Sequence, residues 1–282
     1  MPNEERVERI VEYHKREAED EYFREVGDDA VYDEITWKNI EPFLPQQGWI
    51  LDAGGGAGVW SIEMVEKRRC SVVLLDITRE FLKTAKRKTR TKMLDERVEV
   101  LHSDIRSIPH RDMSFDFVLC EADPISICGD PEKAVSELAR VLKPDCYFVA
   151  GVDSTLYRVF RTLSQGKSLD YVLDFLQTGI SPAEEEADFD SKSFTPTELV
   201  SLLQKHSMKT VRIVGKPIGT STNMLDSFVA ALPTEKRQEI FEDEAEKKKL
   251  RKILHSIYEE PYIAGIGSHL QIVAVKKESG FN

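Results

Sequence analysis

The stretch LDAGGGAG, residues 51–58, holds four glycines within five residues, and Asp52 stands two positions before the first of them. A glycine-rich turn between a strand and a helix typically lets a ligand approach the backbone closely. The order D-x-G-x-G-x-G is not the dinucleotide fingerprint, because the third glycine of that fingerprint would fall on Val59 or Ser61. The pattern of a P-loop is also absent.

The carboxylate of Asp52 indicates the charge of the ligand. An acid beside the turn would repel a phosphate, whereas it would attract a cationic group. S-adenosylmethionine carries a sulfonium and an ammonium group and no phosphate, so it suits this turn. A tight turn that binds no ligand remains the alternative at this point.

Two further acids strengthen the case for a ligand. Asp76 ends the apolar run VVLLD, 24 residues after Asp52, and Asp104 ends the run VEVLHSD. The carboxyl ends of parallel strands share one edge of a sheet, which is where open α/β sheets bind ligands. An acid at the position of Asp76 could accept both ribose hydroxyls of a nucleoside. Each acid alone could be a helix cap, but together with the glycines the three indicate a cofactor site.

The elements that would position these acids follow from hydrophobic patterning. Short apolar runs predict strands at 49–54, 71–77, 98–104, 115–123, 146–153, 211–217 and 269–277. Helical patterns lie between them at about 58–68, 79–92 and 131–142, and Thr195 with Pro196 and Glu198 predicts the start of a further helix. Alternating strands and helices are typical of a parallel sheet covered by helices on both faces.

Composition narrows the classes of function. The chain has 282 residues and a net charge of −11, which argues against broad contact with nucleic acid. No apolar run reaches the length of a membrane span, so no span is expected. Six cations within KTAKRKTRTK, residues 83–92, could form a nucleic-acid patch, but a solvated helix face is favoured by the overall charge. Cys70, Cys120, Cys128 and Cys146 form no C-x-x-C pair, and free thiols in a cytoplasmic setting are predicted.

In several motifs the chain resembles the class I S-adenosylmethionine-dependent methyltransferases, a group that includes quinone-biosynthesis and other small-molecule enzymes. The matching stretches are ILDAGGGAG (50–58), VVLLDI (72–77), HSDI (102–105), FDFVLCEAD (115–123), ELARVLKPDCYFVAGV (137–152) and FTPTELVSLLQKHSM (194–208). The resemblance covers about residues 30–277. Asp145 departs from the pattern, since glycine usually follows this Lys-Pro pair. Asp tolerates the left-handed conformation that glycine would adopt there, so no functional change is expected.

The resemblance implies two sets of cofactor residues. Around the methionine portion it places Asp52 near the ammonium group, Glu121 below the chain, and the turn residues Ala53, Gly54, Gly56 and Gly58. Around the nucleoside it implies that Asp76 binds the ribose hydroxyls, that Asp104 accepts from the adenine amino group, and that Ile77 and Ile105 flank the ring. It also places Tyr32 on an N-terminal helix that closes over the cofactor, although simple packing on the sheet edge would explain this tyrosine as well.

The sequence gives less information about the acceptor site than about the cofactor site. Methyl transfer from a sulfonium is an in-line displacement, and it needs a base only where the acceptor loses a proton. The fourth strand lacks the [DN]-P-P-[YF] loop and the Pro-Cys pair of some nucleic-acid and amide methyltransferases. His269 is the candidate base, but an antiparallel last strand could place it away from the pocket, and a structural histidine is the alternative. Asp123 and Asp153 could line the acceptor site; with no third ligand apparent, no metal is predicted.

We therefore expect one α/β domain over residues 1–282, with a Rossmann-like seven-stranded, mostly parallel sheet and an antiparallel last strand. The core is expected at about 41–153 and 194–277, and helical lid elements at about 1–40, 154–192 and 219–265, of which the last would select the acceptor. The expected reaction is methyl transfer from S-adenosylmethionine to a small molecule, leaving S-adenosylhomocysteine. Alternatives are a protein or tRNA methyltransferase and a non-catalytic cofactor-binding protein.

Overall fold

The structure is a computed structural model, and it describes residues 3–15, 18, 24, 30–182, 189–216, 242–246, 248–249 and 267–278. Most of the expected 219–265 insertion lies outside the described residues. Within them, no helix is long and apolar enough to cross a membrane.

The described helices are α1 (Asn3–Lys15), α2 (Ala30–Ile40), α3 (Val59–Lys67), α4 (Arg79–Thr91), α5 (Pro124–Ile127), α6 (Pro131–Val141), α7 (Thr155–Ser164), α8 (Leu169–Thr178) and α9 (Pro196–Lys205), and a 3₁₀ turn spans Glu41–Phe43. The strands are β1 (Gln47–Ala53), β2 (Arg69–Asp76), β3 (Val98–His102), β4 (Phe115–Cys120), β5 (Leu142–Asp153), β6 (Ile180–Ser181), β7 (Ser191–Lys192), β8 (Met208–Lys216) and β9 (His269–Lys276). All seven predicted sheet strands are present. The short pair β6–β7 was not predicted.

The main sheet has seven strands in the order β3-β2-β1-β4-β5-β9-β8. Strands β1 to β5 pair in parallel, whereas β9 is antiparallel to both β5 and β8. The predicted fold class, with an antiparallel last strand, is confirmed. The strand order reverses between β1 and β4, and such a switch point is where open α/β sheets bind ligands.

Strand ends differ from the prediction in ways that affect the site. Strand β5 begins at Leu142, four residues before the expected start, because Leu142 already pairs with Phe115. Strand β3 ends at His102, so Asp104 follows the strand rather than ending it. Asp145 has a φ of 55°, the left-handed conformation expected where related chains carry glycine.

Apolar layers cover both faces of the sheet. One layer holds Leu51, Val73 and Val118 together with side chains of α6 and α9, and the other holds Ile50 and Phe117 with side chains of α3 and α4. Parallel strands buried on both faces are typical of such folds. Packing from both sides fixes the strands, and it therefore fixes the residues at their carboxyl ends.

Candidate functional site

A cavity of about 420 Å³ lies at the carboxyl edge of the parallel strands. Its volume is within the range of about 300–1,000 Å³ that is usual for small-molecule sites. The predicted cofactor residues on its wall are Tyr32, Asp52, Gly54, Gly56, Asp76, Ile77, Asp104, Ile105 and Glu121. Ala53 and Gly58 do not line it. Of the acceptor-site candidates, Asp123 and His269 line the cavity and Asp153 does not.

The glycine turn has the backbone shape that its composition predicted. Gly54, Gly56 and Gly58 have φ values of 75°, 51° and 81°, a region that other residues rarely adopt. A side chain at Gly54 would also collide with the ring of Pro124. The absence of side chains here leaves the backbone open to the cavity, as a closely approaching ligand requires.

Asp52 is buried on the floor of this turn. Its Oδ2 accepts a hydrogen bond of 2.5 Å from the Ser61 hydroxyl. Burial raises the pKa of Asp52 to about 7, and the charges of Asp76 and Glu121 add to the effect. A cationic group in the cavity would stabilise the ionised form, so the residue fits the ammonium group of the expected cofactor.

Asp76 ends β2 with its carboxylate held by the backbone. Oδ1 accepts from the Thr78 amide at 2.7 Å and Oδ2 accepts from the Gly56 amide at 3.0 Å. Burial raises the pKa of Asp76, and these amide donors oppose that rise. Each carboxylate oxygen can accept a further bond. A fixed carboxylate with free lone pairs on the cavity wall suits a pair of ribose hydroxyls.

Asp104 is engaged by a residue that the sequence reasoning did not select. Arg106 donates to it from Nη2 at 2.5 Å, and Nε lies within about 3 Å of both carboxylate oxygens. Arg106 itself lines the cavity. An adenine amino group at Asp104 would share the carboxylate with this guanidinium. An arginine two residues after an acid can fold back onto it, but whether it does so depends on a side-chain rotamer that the sequence does not give.

Helix α1 covers the same end of the cavity. Val7, Ile10 and His14 line it, and the His14 ring lies 5.5 Å from that of Phe81 between centroids. This apolar cover comes from the part of the chain predicted to act as an N-terminal lid. In contrast, no described residue of 154–192 lines the cavity. A lid role for that segment stays a prediction.

Glu121 lies in a buried polar network. It forms an ion pair with Lys216, whose side chain is 0% exposed, and its Oε2 accepts from Gln271 Nε2 at 2.8 Å. Lys216 also donates to the Tyr32 hydroxyl at 2.8 Å and to the Thr36 hydroxyl at 3.2 Å. Burial raises the pKa of Tyr32 well above its usual value, so its hydroxyl stays neutral. The network therefore joins α2 to the ends of β8 and β9.

Besides the network around Glu121 and Lys216, a second cluster of charged side chains contains Asp123, Asp153 and His269. His269 Nε2 lies 2.8 Å from Asp123 Oδ2 and 3.7 Å from Asp153 Oδ1, and Arg158 lies 3.3 Å from Asp153. The expectation that His269 could lie away from the pocket is wrong. An antiparallel strand begins at the edge where its parallel neighbours end, and His269 is in fact the register partner of Asp153.

These three side chains also have the spacing of a metal site, because their ligating atoms lie within 4.8 Å of one another. His269 is thus the third candidate ligand that the sequence did not reveal. However, the two carboxylates already face the histidine and Arg158, two groups that can balance their charge. The arrangement is that of an ion-paired cluster, and the absence of a metal stays a prediction.

The backbone is strained where Asp123 enters the cavity. Ala122 and Asp123 have φ values of 61° and 68°, so two successive residues with side chains are left-handed. Each such residue costs of order 1–3 kcal/mol unless its surroundings hold it. Pro124 follows at once as the first residue of α5. Strain of this kind concentrates at functional sites.

Two other predicted features lie apart from the cavity. Cys120 is buried in β4 and burial raises its pKa well above the usual value, which agrees with a structural thiol. Of the six cations of 83–92, five lie on α4 and Lys92 follows it; most of them are exposed, but Lys88 is buried and donates to the Arg24 carbonyl at 2.8 Å. None of them lines the cavity.

Comparison with known proteins agrees with this geometry. A family model described as a methyltransferase domain matches residues 50–145. A solved S-adenosylmethionine-dependent methyltransferase from Methanosarcina mazei superposes with a TM-score of 0.58 at 21% identity, covering 85% of this chain and 97% of that one. Residues 50–145 of this chain are therefore a methyltransferase domain, and the chain has the fold of a class I S-adenosylmethionine-dependent methyltransferase.

The curated relatives of the methyltransferase differ in acceptor. A tRNA 5-carboxymethoxyuridine methyltransferase from Escherichia coli O157:H7 is 23% identical over 87% of this chain and 88% of its own length. A demethylmenaquinone methyltransferase from Clavibacter sepedonicus is 31% identical over 42% of this chain and 46% of its own length. The chain thus spans about half the length of the second relative. The relatives therefore leave the acceptor open.

Proposed function

We propose that this methyltransferase acts on a small-molecule acceptor that binds beside the cofactor in the 420 Å³ cavity. The supporting observation is that one cavity is lined both by the predicted cofactor residues and by Asp123 and His269, for which the cofactor has no evident use. The apolar cover from α1 would exclude water from such a pocket.

The roles of the cofactor residues are part of this proposal. Asp52 and Glu121 would bind the ammonium end, and Asp76 would bind the ribose hydroxyls. Ile77, Ile105 and Phe81 would flank the adenine ring. When bound, the cofactor supplies an activated methyl group, and the task of the chain is to hold an acceptor atom in line with it and to keep water out.

A tRNA acceptor is the second candidate, since the E. coli O157:H7 relative aligned over 87% of this chain is a tRNA enzyme by name. Two properties of this chain favour the small molecule. Its net charge of −11 disfavours contact with phosphates, and the exposed cations of α4 do not line the cavity. A tRNA enzyme would be expected to surround the cavity mouth with cations.

Methyl labelling distinguishes the two candidates. The protein would be incubated with S-adenosylmethionine labelled in its methyl group and, separately, with unmodified tRNA and with a metabolite extract passed through a 3-kDa filter. We expect label in the small-molecule fraction and none in tRNA. The matched control is Asp76→Ala, which should abolish labelling at low cofactor concentration. Label in tRNA alone would contradict the proposal.

A further inference from the structure

Ser61 lies in the first turn of α3, directly after the glycine turn, and its hydroxyl contacts the carboxylate of Asp52. We propose that Ser61 is a positioning residue for the cofactor, because its hydroxyl holds the Asp52 carboxylate in place and in its ionised form. This inference rests on the role proposed for Asp52 in binding the ammonium end of the cofactor. It does not depend on which acceptor is methylated.

The contact between the two side chains is short and buried. Asp52 Oδ2 accepts from the Ser61 hydroxyl at 2.5 Å, and the two residues are 1% and 0% exposed. This distance is typical of a hydroxyl that donates to an ionised carboxylate. A charge-assisted bond of this kind stabilises the ionised form of the acid over its protonated form.

The carboxylate of Asp52 also packs against the backbone of the glycine turn. A Cβ at Gly55 would lie 2.7 Å from both Cγ and Oδ2 of Asp52, closer than side chains approach one another. The backbone of Asp52 is fixed in the sheet, where its register partners are Leu74 and Leu119. The strand, the turn and the Ser61 hydroxyl together define where the carboxylate lies on the cavity wall.

The surroundings of Asp52 favour its neutral form, and Ser61 opposes them. Burial raises the pKa of Asp52 to about 7, and the negative charges of Asp76 on β2 and of Glu121 after β4 add to the rise. The hydrogen bond from Ser61 is the main effect that lowers this pKa.

The charged side chains near this part of the cavity are paired with other groups. Lys216 pairs with Glu121, and Arg106 pairs with Asp104. On α3, Glu63 pairs with Lys67, and Glu66 pairs with Lys92. Among the described side chains, Ser61 is therefore the one that donates a hydrogen bond to Asp52.

This hydrogen bond has a consequence for ligand binding. An ammonium group gains most from Asp52 when the carboxylate is ionised. If the hydroxyl were absent, the pKa of Asp52 would lie further above neutrality, and less of the protein would be in the binding form at pH 7. Ser61 therefore extends the pH range over which the cofactor binds well.

The first test measures the ionisation of Asp52 without any ligand. Full-length protein labelled with ¹³C at the aspartate carboxyl carbons is titrated by NMR, and the Asp52→Asn variant identifies the signal. In Ser61→Ala we expect the midpoint to rise by about one pH unit, because a charge-assisted hydrogen bond is lost. Ser193→Ala is the matched control, since Ser193 is a buried serine that does not line the cavity.

An unchanged or lower midpoint in Ser61→Ala would overturn the proposal. If Ser61→Ala does not fold, the same titration on Ser61→Cys replaces it. A thiol is a weaker donor than a hydroxyl, so the midpoint should rise in the same direction by a smaller amount.

The second test measures affinity for S-adenosylhomocysteine by calorimetry at several pH values. With midpoints near 7 and 8, Ser61→Ala should bind about tenfold more weakly than the unmodified protein at pH 6 and about twofold more weakly at pH 8. In the Asp52→Asn background, Ser61→Ala should cause no further loss that depends on pH. A loss of equal size at every pH would indicate a structural role only and would overturn the proposal.

The outcomes separate this inference from the proposed function. If Asp52→Asn binds S-adenosylhomocysteine with the pH dependence of the unmodified protein, the proposed role of Asp52 is rejected, and the inference is rejected with it. If Asp52→Asn loses that dependence and Ser61→Ala keeps it unshifted, the role of Asp52 stands and only the role of Ser61 is rejected.

Discussion

The two ends of the cavity are held in different ways. At the cofactor end the backbone does most of the positioning, through a turn of left-handed glycines and two amides that fix Asp76. At the end that we assign to the acceptor, Asp123 and His269 line the cavity, and Asp153 beside them does not; the three come from separate parts of the chain and are held by mutual ion pairs. The geometry of the first end therefore depends mainly on the backbone, and that of the second depends mainly on side chains.

Lys216 and Glu121 lie where the two ends meet. Their buried ion pair joins the turn after β4 to the end of β8, and Tyr32 and Gln271 complete its hydrogen bonds. A buried pair is costly to break, because the remaining charge has no partner in a medium of low polarity. Substitution of one residue of this ion pair should therefore have a large effect on the stability of the protein.

Among the substitutions discussed here, Lys216→Met should have the largest effect, and that effect is on the free energy of unfolding. Removal of the lysine leaves Glu121 buried beside Asp123 without its counter-ion, and we expect the free energy of unfolding to fall by about 3–5 kcal/mol. Urea unfolding measures the change. The double variant Lys216→Met, Glu121→Gln should recover a large part of the loss, because it removes the stranded charge. A single variant as stable as the parent would show that the pair does not join the two ends.

The second-largest effect should be on ligand affinity, from a substitution at the cofactor end of the cavity. Asp76→Ala should weaken S-adenosylhomocysteine binding by about 2–3 kcal/mol, roughly 30- to 150-fold, because two charge-assisted bonds are lost. Calorimetry gives the affinity, and Asp95→Ala, an exposed residue before β3, is the matched control. An unchanged affinity in a folded Asp76→Ala protein would place the ribose elsewhere.

The cofactor end could largely be predicted from the sequence because its signals are local. The glycines, Asp52 and Asp76 stand within one strand–turn–helix unit and the following strand, and their spacing survives folding. Asp104 shows the limit, because the bond from Arg106 depends on a side-chain rotamer. At the other end the sequence suggested Asp123, Asp153 and His269 one by one, but not that they meet, since Asp123 and His269 are 146 residues apart and come together only through the strand order. Lys216 gave no signal beyond its place at a strand end.

The electrostatics of the cofactor end predict a pH dependence of binding. The pKa of Asp52 is about 7 in the folded protein, and an ammonium ligand favours the ionised form. Below pH 7 binding must release a proton, so affinity should fall by up to about tenfold per pH unit. Asp52→Asn should bind more weakly at pH 8 and lose this slope. A wild-type affinity that is flat from pH 5.5 to 8 would contradict the assignment.

Asp52 also makes the stability of the protein depend on pH, but here a rise in pH is unfavourable, whereas it favours ligand binding. Because the folded-state pKa is above the usual 3.8, the folded protein holds more protons than the unfolded chain between these two values. The contribution of Asp52 to the free energy of unfolding should therefore decrease as pH rises from about 4 to 7. Comparison of urea unfolding of the parent and Asp52→Asn across this range isolates the contribution of Asp52.

The smallest effect is expected outside both ends, on the exposed face of α4. Lys86 and Arg90 are exposed there, and neither lines the cavity. If the acceptor is a small molecule, Lys86→Glu with Arg90→Glu should leave transfer unchanged and stability within about 0.5 kcal/mol, as is usual for surface substitutions. If the acceptor is tRNA and this face binds phosphates, the same change should weaken binding and flatten its salt dependence. Transfer to the small-molecule fraction and tRNA retention at two salt concentrations, measured on one preparation, would therefore show whether the cavity alone defines the acceptor.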